Sequence, residues 1–256
     1  MLKGNRRILL PTLMYHSVSP DRDDPYCITV RPQRFASQMR LIHRLGMRAV
    51  SIQELLAAQA GGSWKATRLI GLTFDDGYAD FIDYALPELQ RHRFTATAFV
   101  LAGRLGGDNS WNAEGPRKRL MTVDRLKTAA AAGIEIGSHG LLHVSLPSVS
   151  DDDLEEEISL SRRLLQKATG QQVAGFCYPF GHVDDRAVRA VRAAGYDYAC
   201  AIWRSEWPAR YALPRMAVQD PHVLTRLVQA GPRVLLKSGP RVAAQKVVET
   251  IGKRSR

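Results

Sequence analysis

Leu69-Ile70-Gly71-Leu72-Thr73-Phe74-Asp75-Asp76-Gly77 runs an apolar stretch straight into two carboxylates and a glycine. Leu69–Phe74 has the length and composition of a buried strand, and Asp-Asp-Gly is turn chemistry at its end. Three other stretches share this form. Residues 8–15 end in Tyr15-His16-Ser17, residues 134–137 lead into Ser138-His139-Gly140-Leu141-Leu142-His143, and residues 173–178 lead into Pro179-Phe180-Gly181. Polar residues at the ends of parallel strands are where α/β proteins carry their chemistry.

The segments between these strands read as helices. Residues 33–45 place Phe35, Met39, Leu41, Ile42 and Leu45 on one face. Helices are also expected at 51–60, at 80–91 with a kink at Pro87, at 122–132 capped by Thr122, at 151–169 opened by Ser150, and at 184–194. Further strands are expected at Arg48–Val50, 95–101, 196–202 and 211–218, and residues 103–120 read as a long loop. Strand–helix alternation predicts an α/β fold with a largely parallel sheet. About seven or eight such units in roughly 220 residues predict a barrel, complete or incomplete, rather than an open sheet.

Composition sets the outer bounds. In 256 residues, 45% hydrophobic and 24% charged content excludes wholesale disorder. Basic Lys3, Arg6 and Arg7 precede Ile8-Leu9-Leu10, but Pro11 cuts that run too short for a signal peptide core. The expectation is a cytoplasmic protein. Cys27, Cys177 and Cys200 are scattered and odd in number, which predicts reduced, mostly buried thiols. The net charge is +11, and within residues 231–256 seven bases against the single acid Glu249 supply +6 of it. A general nucleic-acid surface is therefore not expected. The basic tail reads as a contact for anionic lipid at the inner membrane or for a partner, or as a solvated helix. Six acids among residues 151–157 suit the positive end of a helix and predict no calcium site.

His139 and His143 stand four apart. If that segment forms a helical turn, both imidazoles share a face and can share a metal. Neither this pair nor Asp75-Asp76 is telling alone. Together they supply two histidines and a carboxylate for a metal, with a second carboxylate free as a base, which points to a metal hydrolase.

The Thr73-Phe74-Asp75-Asp76-Gly77 string and the Ser138–His143 string resemble the first two motifs of the polysaccharide deacetylase family, also called NodB-homology or carbohydrate esterase family 4. The resemblance covers roughly residues 8–220. Leu13-Met14-Tyr15-His16-Ser17-Val18 and Phe176-Cys177-Tyr178-Pro179-Phe180-Gly181 resemble the branch that includes exopolysaccharide deacetylases. It implies a distorted (β/α)7 barrel over residues 1–222, with 223–256 as a basic helical extension. It implies a divalent metal, zinc first with cobalt or nickel as alternatives, held by Asp76, His139 and His143. Asp75 becomes the general base that takes a proton from water. The Phe180 amide becomes an oxyanion donor, and Tyr178, Pro179 and Gly181 belong to the same substrate-binding loop. The implied reaction is hydrolysis of an N-acetylated sugar to free amine and acetate. An O-acetyl esterase, a small-amide hydrolase and a catalytically poor glycan-binding protein stay open as alternatives.

The sequence departs from the family pattern twice. Cys177 stands where an arginine that orients the base is usual, and Arg215 is the alternative source of a guanidinium. No clean match exists for the histidine that serves as general acid; His222 and His16 are the candidates. For a cytoplasmic enzyme the substrate is an N-acetylated oligo- or polysaccharide or its lipid- or nucleotide-linked precursor. Trp111, Trp203 and Trp207 are read as packing or as sugar-stacking residues, His43 and His92 as surface residues, and His182 as packing or groove-lining.

Overall fold

A computed structural model describes residues 11–61, 68–202 and 209–218. Its strands are β1 (Thr12–Tyr15), β2 (Ser17–Val18), β3 (Thr29–Val30), β4 (Arg48–Val50), β5 (Leu69–Phe74), β6 (Thr97–Val100), β7 (Glu135–Ser138), β8 (Gly175–Cys177), β9 (Tyr198–Cys200) and β10 (Met216–Ala217). The main sheet orders as β10-β1-β5-β6-β7-β8-β9, with neighbours parallel throughout. β1 follows one edge of β5, while β4 pairs its first half and β6 its second half on the other edge. The sheet curls into a half-barrel. Among the described residues the two ends of the path meet only at a bridge between Cys200 and Leu213.

The helices start where cap residues require. These are α1 (Pro32–Arg44), α2 (Ile52–Ala60), α3 (Leu86–Arg91), α4 (Val123–Ala131), α5 (Asp151–Glu155), α6 (Ser161–Thr169) and α7 (Asp185–Ala193). Pro32 opens α1, Ser51 and Glu54 form a reciprocal capping box on α2, and the side chains of Thr122, Ser150 and Asp184 accept first-turn amides of α4, α5 and α7. The expected helix 80–91 is a π-helical turn, Phe81–Ala85, running into α3. Pro87 lacks an N–H and crowds the preceding turn, and the wider π turn absorbs this. The expected 151–169 helix is α5 and α6 joined by a π turn, Glu156–Leu160, and closed by Gly170 at φ 70°.

Some expectations need correction. The 211–218 strand is instead a 3-10 turn, Ala209–Tyr211, and the two-residue β10, separated by a stretch containing Pro214, which has no N–H to give a ladder. The small β2–β3 sheet was not foreseen. Cys27 is exposed, while Cys177 and Cys200 are free and buried. Residues 1–10, Trp203, Trp207, His222 and the 223–256 extension lie outside the described residues. Among those described, no helix is long and apolar enough to cross a membrane.

Two apolar layers hold the fold. The larger lies between the sheet and its helices, from Leu13 and Phe35 through Ile136 and Leu165 to Val191. The smaller fills the curl of the sheet with Val50, Ile52, Leu55, Phe99, Ala174, Cys177, Tyr198 and Cys200. At the N-terminal end of the strands, Glu135 accepts hydrogen bonds from the Tyr198 hydroxyl (2.6 Å), Thr97 (2.7 Å) and the Gln53 amide at the start of α2 (3.0 Å). The interior is thus a packed plug, and chemistry is left to the opposite, C-terminal end.

Candidate active site

The C-terminal end gathers the strand-end residues. Asp75 continues β5, its amide donating to the Tyr15 carbonyl (2.9 Å). The chain then turns through two left-handed residues, Asp76 (φ 70°) and Gly77 (φ 75°). Such a conformation is unfavourable for aspartate and is typical of functional sites. It sends the adjacent carboxylates to different partners.

The Asp76 carboxylate meets the histidines. Its Oδ1 lies 3.3 Å from His139 Nε2 and 3.3 Å from His143 Nε2. All three residues are buried, and Oδ1 has no hydrogen-bond partner. A buried carboxylate oxygen left orphaned is costly unless something else binds it. Three donors on a small divalent ion, at bonds of about 2.0–2.1 Å in tetrahedral geometry, stand about 3.4 Å apart. The donor spacing, the orphaned oxygen and the Asp-His-His set all fit a divalent metal.

The His pair is not on a helical turn. Residues 139–143 form an irregular loop with Gly140 at φ 85° and His143 at φ 66°. The left-handed backbone at Gly140 and His143 excludes a helical turn, and the Leu141 and Leu142 amides bond the Glu157 carboxylate, at 2.7 Å and 3.2 Å. His139 Nδ1 contacts the Cys177 carbonyl at 2.8 Å; a carbonyl only accepts, so Nδ1 carries a proton and Nε2 is the atom turned to Asp76, whose neighbourhood together with Cys177 outweighs burial and raises the His139 pKa. His143 Nδ1 has no hydrogen-bond partner. Rings orient it instead: Trp111 stacks on it at 4.7 Å between centroids and Phe180 meets it edge-on at 4.4 Å. Burial lowers the pKa of His143, which favours the neutral form a metal needs.

Asp75 faces the other way, into the barrel. Arg215 Nη1 donates to its Oδ1 at 2.6 Å and Nη2 to its Oδ2 at 2.8 Å, a bidentate pair with both partners buried. The guanidinium also donates to Thr73 Oγ1 (3.0 Å), the Ala201 carbonyl (3.2 Å) and Cys177 Sγ (3.0 Å), and lies over the Phe99 ring. Burial alone would raise the Asp75 pKa, but the Arg215 charge and hydrogen bonds outweigh it and hold the carboxyl below its ordinary range. Cys177, in the position where the family pattern has arginine, fills the gap beside the pair, its thiol 3.6 Å from Asp75 Oδ2.

His16 follows β1, half-buried, and is coupled electrostatically to Asp75, Asp76 and His143. Phe180 has φ 58°, and the next amides turn back, Gly181 to the Tyr178 carbonyl (3.0 Å) and His182 to the Pro179 carbonyl (3.2 Å). A Cβ on Gly181 would stand 2.7 Å from Ile202, so this turn admits only glycine. Pro179 is buried beneath it. Tyr178 does not reach the site through its ring, which is 1% exposed in the core with its hydroxyl on the Tyr211 carbonyl (3.0 Å). The alternating side-chain direction of an extended segment explains this. His182 is half-buried against Ser145 (3.0 Å), and His92 is mostly buried on Glu88 (3.1 Å) rather than on the surface.

The sequence reading missed Trp111 as a neighbour of His143 and Glu157 as the anchor of the histidine loop. A signal for Glu157 was present: it lies on the stripe Leu154, Ile158, Ser161, Leu165, which is the buried face.

Comparisons with known proteins bear on the fold and the family. Among solved structures, the Streptococcus pyogenes deacetylase PplD in complex with acetate superposes with a TM-score of 0.73 and 23% identity, covering 86% of this chain and 96% of that one. That likeness concerns the fold. YxkH of Bacillus subtilis (strain 168), provisionally named a polysaccharide deacetylase, is 26% identical over 195 residues, which are 76% of this chain and 65% of YxkH. A poly-beta-1,6-N-acetyl-D-glucosamine N-deacetylase of Staphylococcus aureus (strain MSSA476) is 22% identical over 75% of this chain and 68% of its own length. The family description Polysaccharide deacetylase matches residues 64–199, a stretch that holds Asp75, Asp76, His139, His143 and Phe180. With more than half of its length so matched, the chain belongs to the polysaccharide deacetylase family, whose members hydrolyse the carbon–nitrogen bond of N-acetylated sugars.

Proposed function

We propose that this protein removes acetyl groups from an N-acetylated glycan or glycan precursor, using zinc held by Asp76, His139 and His143. One observation carries the reading: a carboxylate kept ionised by a buried arginine stands beside a buried Asp-His-His donor set. When bound, a divalent ion there supplies Lewis acidity that polarises the acetyl carbonyl and makes water easier to deprotonate. Asp75, ionised at neutral pH, accepts the proton from that water. Arg215 holds both Asp75 oxygens and so fixes the direction of the remaining lone pairs. The Phe180 amide, at the left-handed turn against His143, is the donor for the developing oxyanion. His16, at the end of β1, is the candidate among the described residues for protonating the departing amine, as the amide C–N bond breaks and the acetyl carbon takes the water oxygen. The curated relative named for poly-N-acetylglucosamine supports a glycan of that chemistry.

The test is acetate release from N-acetylglucosamine oligomers by the metal-loaded chain. Asp75→Asn should retain fold and metal and lose activity by a factor of at least about 10². Undiminished turnover in Asp75→Asn would remove it from the mechanism, and no release from any N-acetylated or O-acetylated sugar would favour a binding protein.

A further inference from the structure

Resting on the metal reading above, we propose that Glu157 is a positioning residue for the histidine pair, shaping the 139–143 loop and through it the affinity for the metal. The loop is irregular, so its amides and carbonyls need partners outside regular structure. Those of the three residues between the histidines all have one. The Gly140 amide donates to Ser138 Oγ (3.1 Å), whose hydroxyl donates to Ser161 (2.8 Å). The Gly140 and Leu141 carbonyls accept from the Ala102 (3.0 Å) and Gly103 (3.2 Å) amides, and the Leu142 carbonyl accepts from Arg104 Nε (3.0 Å). The two central amides, Leu141 and Leu142, both fall to Glu157.

Glu157 stands apart from the acids around it. Asp151, Asp152, Asp153, Glu155 and Glu156 are exposed, whereas Glu157 is 5% exposed. It lies in the π turn, a local widening that recurs at functional sites. A carboxylate accepting successive amides makes charge-assisted bonds, stronger than neutral ones. The fit is close: a Cβ on Gly140 would stand 2.8 Å from Glu157 Oε2. Two ligands four residues apart need their loop held to within about 0.5 Å for both imidazoles to reach one ion.

The test is competition titration of Co2+ and Zn2+ against a chromophoric chelator, on the full chain, with the visible Co2+ spectrum and the metal-free melting temperature recorded alongside. Glu157→Gln keeps an oxygen at the right reach without the charge and should weaken binding about tenfold; Glu157→Asp keeps the charge but falls short by a methylene and should weaken it toward about a hundredfold, with an altered Co2+ spectrum. Glu156→Gln, on the exposed side, should match wild type. If Glu157→Asp does not fold, Glu157→Gln decides alone. Wild-type affinity and spectrum in the folded variants, even with a lower metal-free melting temperature, would overturn the proposal by reducing Glu157 to a structural residue. A wild-type chain that takes up no metal would instead sink the metal reading, and this inference with it.

Discussion

Arg215 and Asp75 show how far single residues decide this site. Both are buried and each leaves the other uncompensated if removed. Breaking a buried pair by deleting one partner costs about 3–5 kcal/mol. Arg215→Met should therefore destabilise the chain by that order in urea unfolding, and adding Asp75→Asn should recover part of the loss; strictly additive losses would deny the coupling. The sign with pH follows from the lowered Asp75 pKa. A carboxyl depressed in the folded state stabilises above its unfolded pKa and loses that contribution as pH falls through its folded one. In wild type that contribution is full at neutral pH and is lost only below about pH 4; in Arg215→Met burial alone raises the Asp75 carboxyl, so the gap between the two proteins should be widest at neutral pH and begin to narrow above about pH 4, as the unpaired carboxyl takes up a proton. The residues of this site that were legible in sequence are those that end strands, because strand direction alone brings Asp75, Asp76, His139 and His16 together. Arg215 was legible only as the replacement for an absent arginine. Trp111 and Glu157 act through contacts with His143 and its loop that no local spacing encodes.

At the scale of elements, strand and helix order was readable because each strand run is followed by its own helix pattern and cap. What periodicity could not show is where hydrogen-bond partners outside an element override it. The His139–His143 spacing reads as a helical turn, yet Glu157 and the Ala102–Arg104 turn satisfy its backbone in another shape. Gly140→Ala tests that shape, since alanine is strained at φ 85° and its Cβ meets Glu157. We expect about 1–3 kcal/mol of lost stability together with weaker Co2+ binding, read by urea unfolding and by titration. Asp80 offers a second element-level test. It ties β2 to the π turn before α3, accepting from Ser17 Oγ at 2.6 Å and the Val18 amide at 3.1 Å, while Lys118 donates to Ser17 at 2.8 Å. Burial, only partly offset by these bonds, pushes its pKa up to about 6. A carboxyl raised on folding is protonated in the native state where the unfolded chain is ionised, so its contribution to stability falls as pH rises from about 4 to about 6. Asp80→Asn should flatten that part of the stability–pH curve and be no less stable than wild type at pH 7; an unchanged slope would place the titration elsewhere.

The whole molecule joins these parts through one end of the sheet. Asp76 comes from the end of β5 and the histidines from the loop after β7, so their shared ion would bridge segments about sixty residues apart in sequence. Arg215, just before β10, reaches across to Asp75 and to the Ala201 carbonyl beyond β9, spanning the side where the ladder does not close. Metal binding and stability should therefore be linked. An ion that binds only the folded chain stabilises it by about 2.7 kcal/mol at a hundred times its dissociation constant. For a domain of this size that corresponds to roughly 5–10 °C in melting temperature. Scanning calorimetry on chelator-treated protein, with Zn2+ added back, should show that rise in wild type and none in His139→Ala. The Arg215–Asp75 clasp does not depend on the ion, so Arg215→Met should melt lower than wild type yet rise by a similar increment when Zn2+ is added. An increment that vanished in Arg215→Met would mean that the clasp and the donor set form a single cooperative unit, with the open side of the barrel closed only when both are in place.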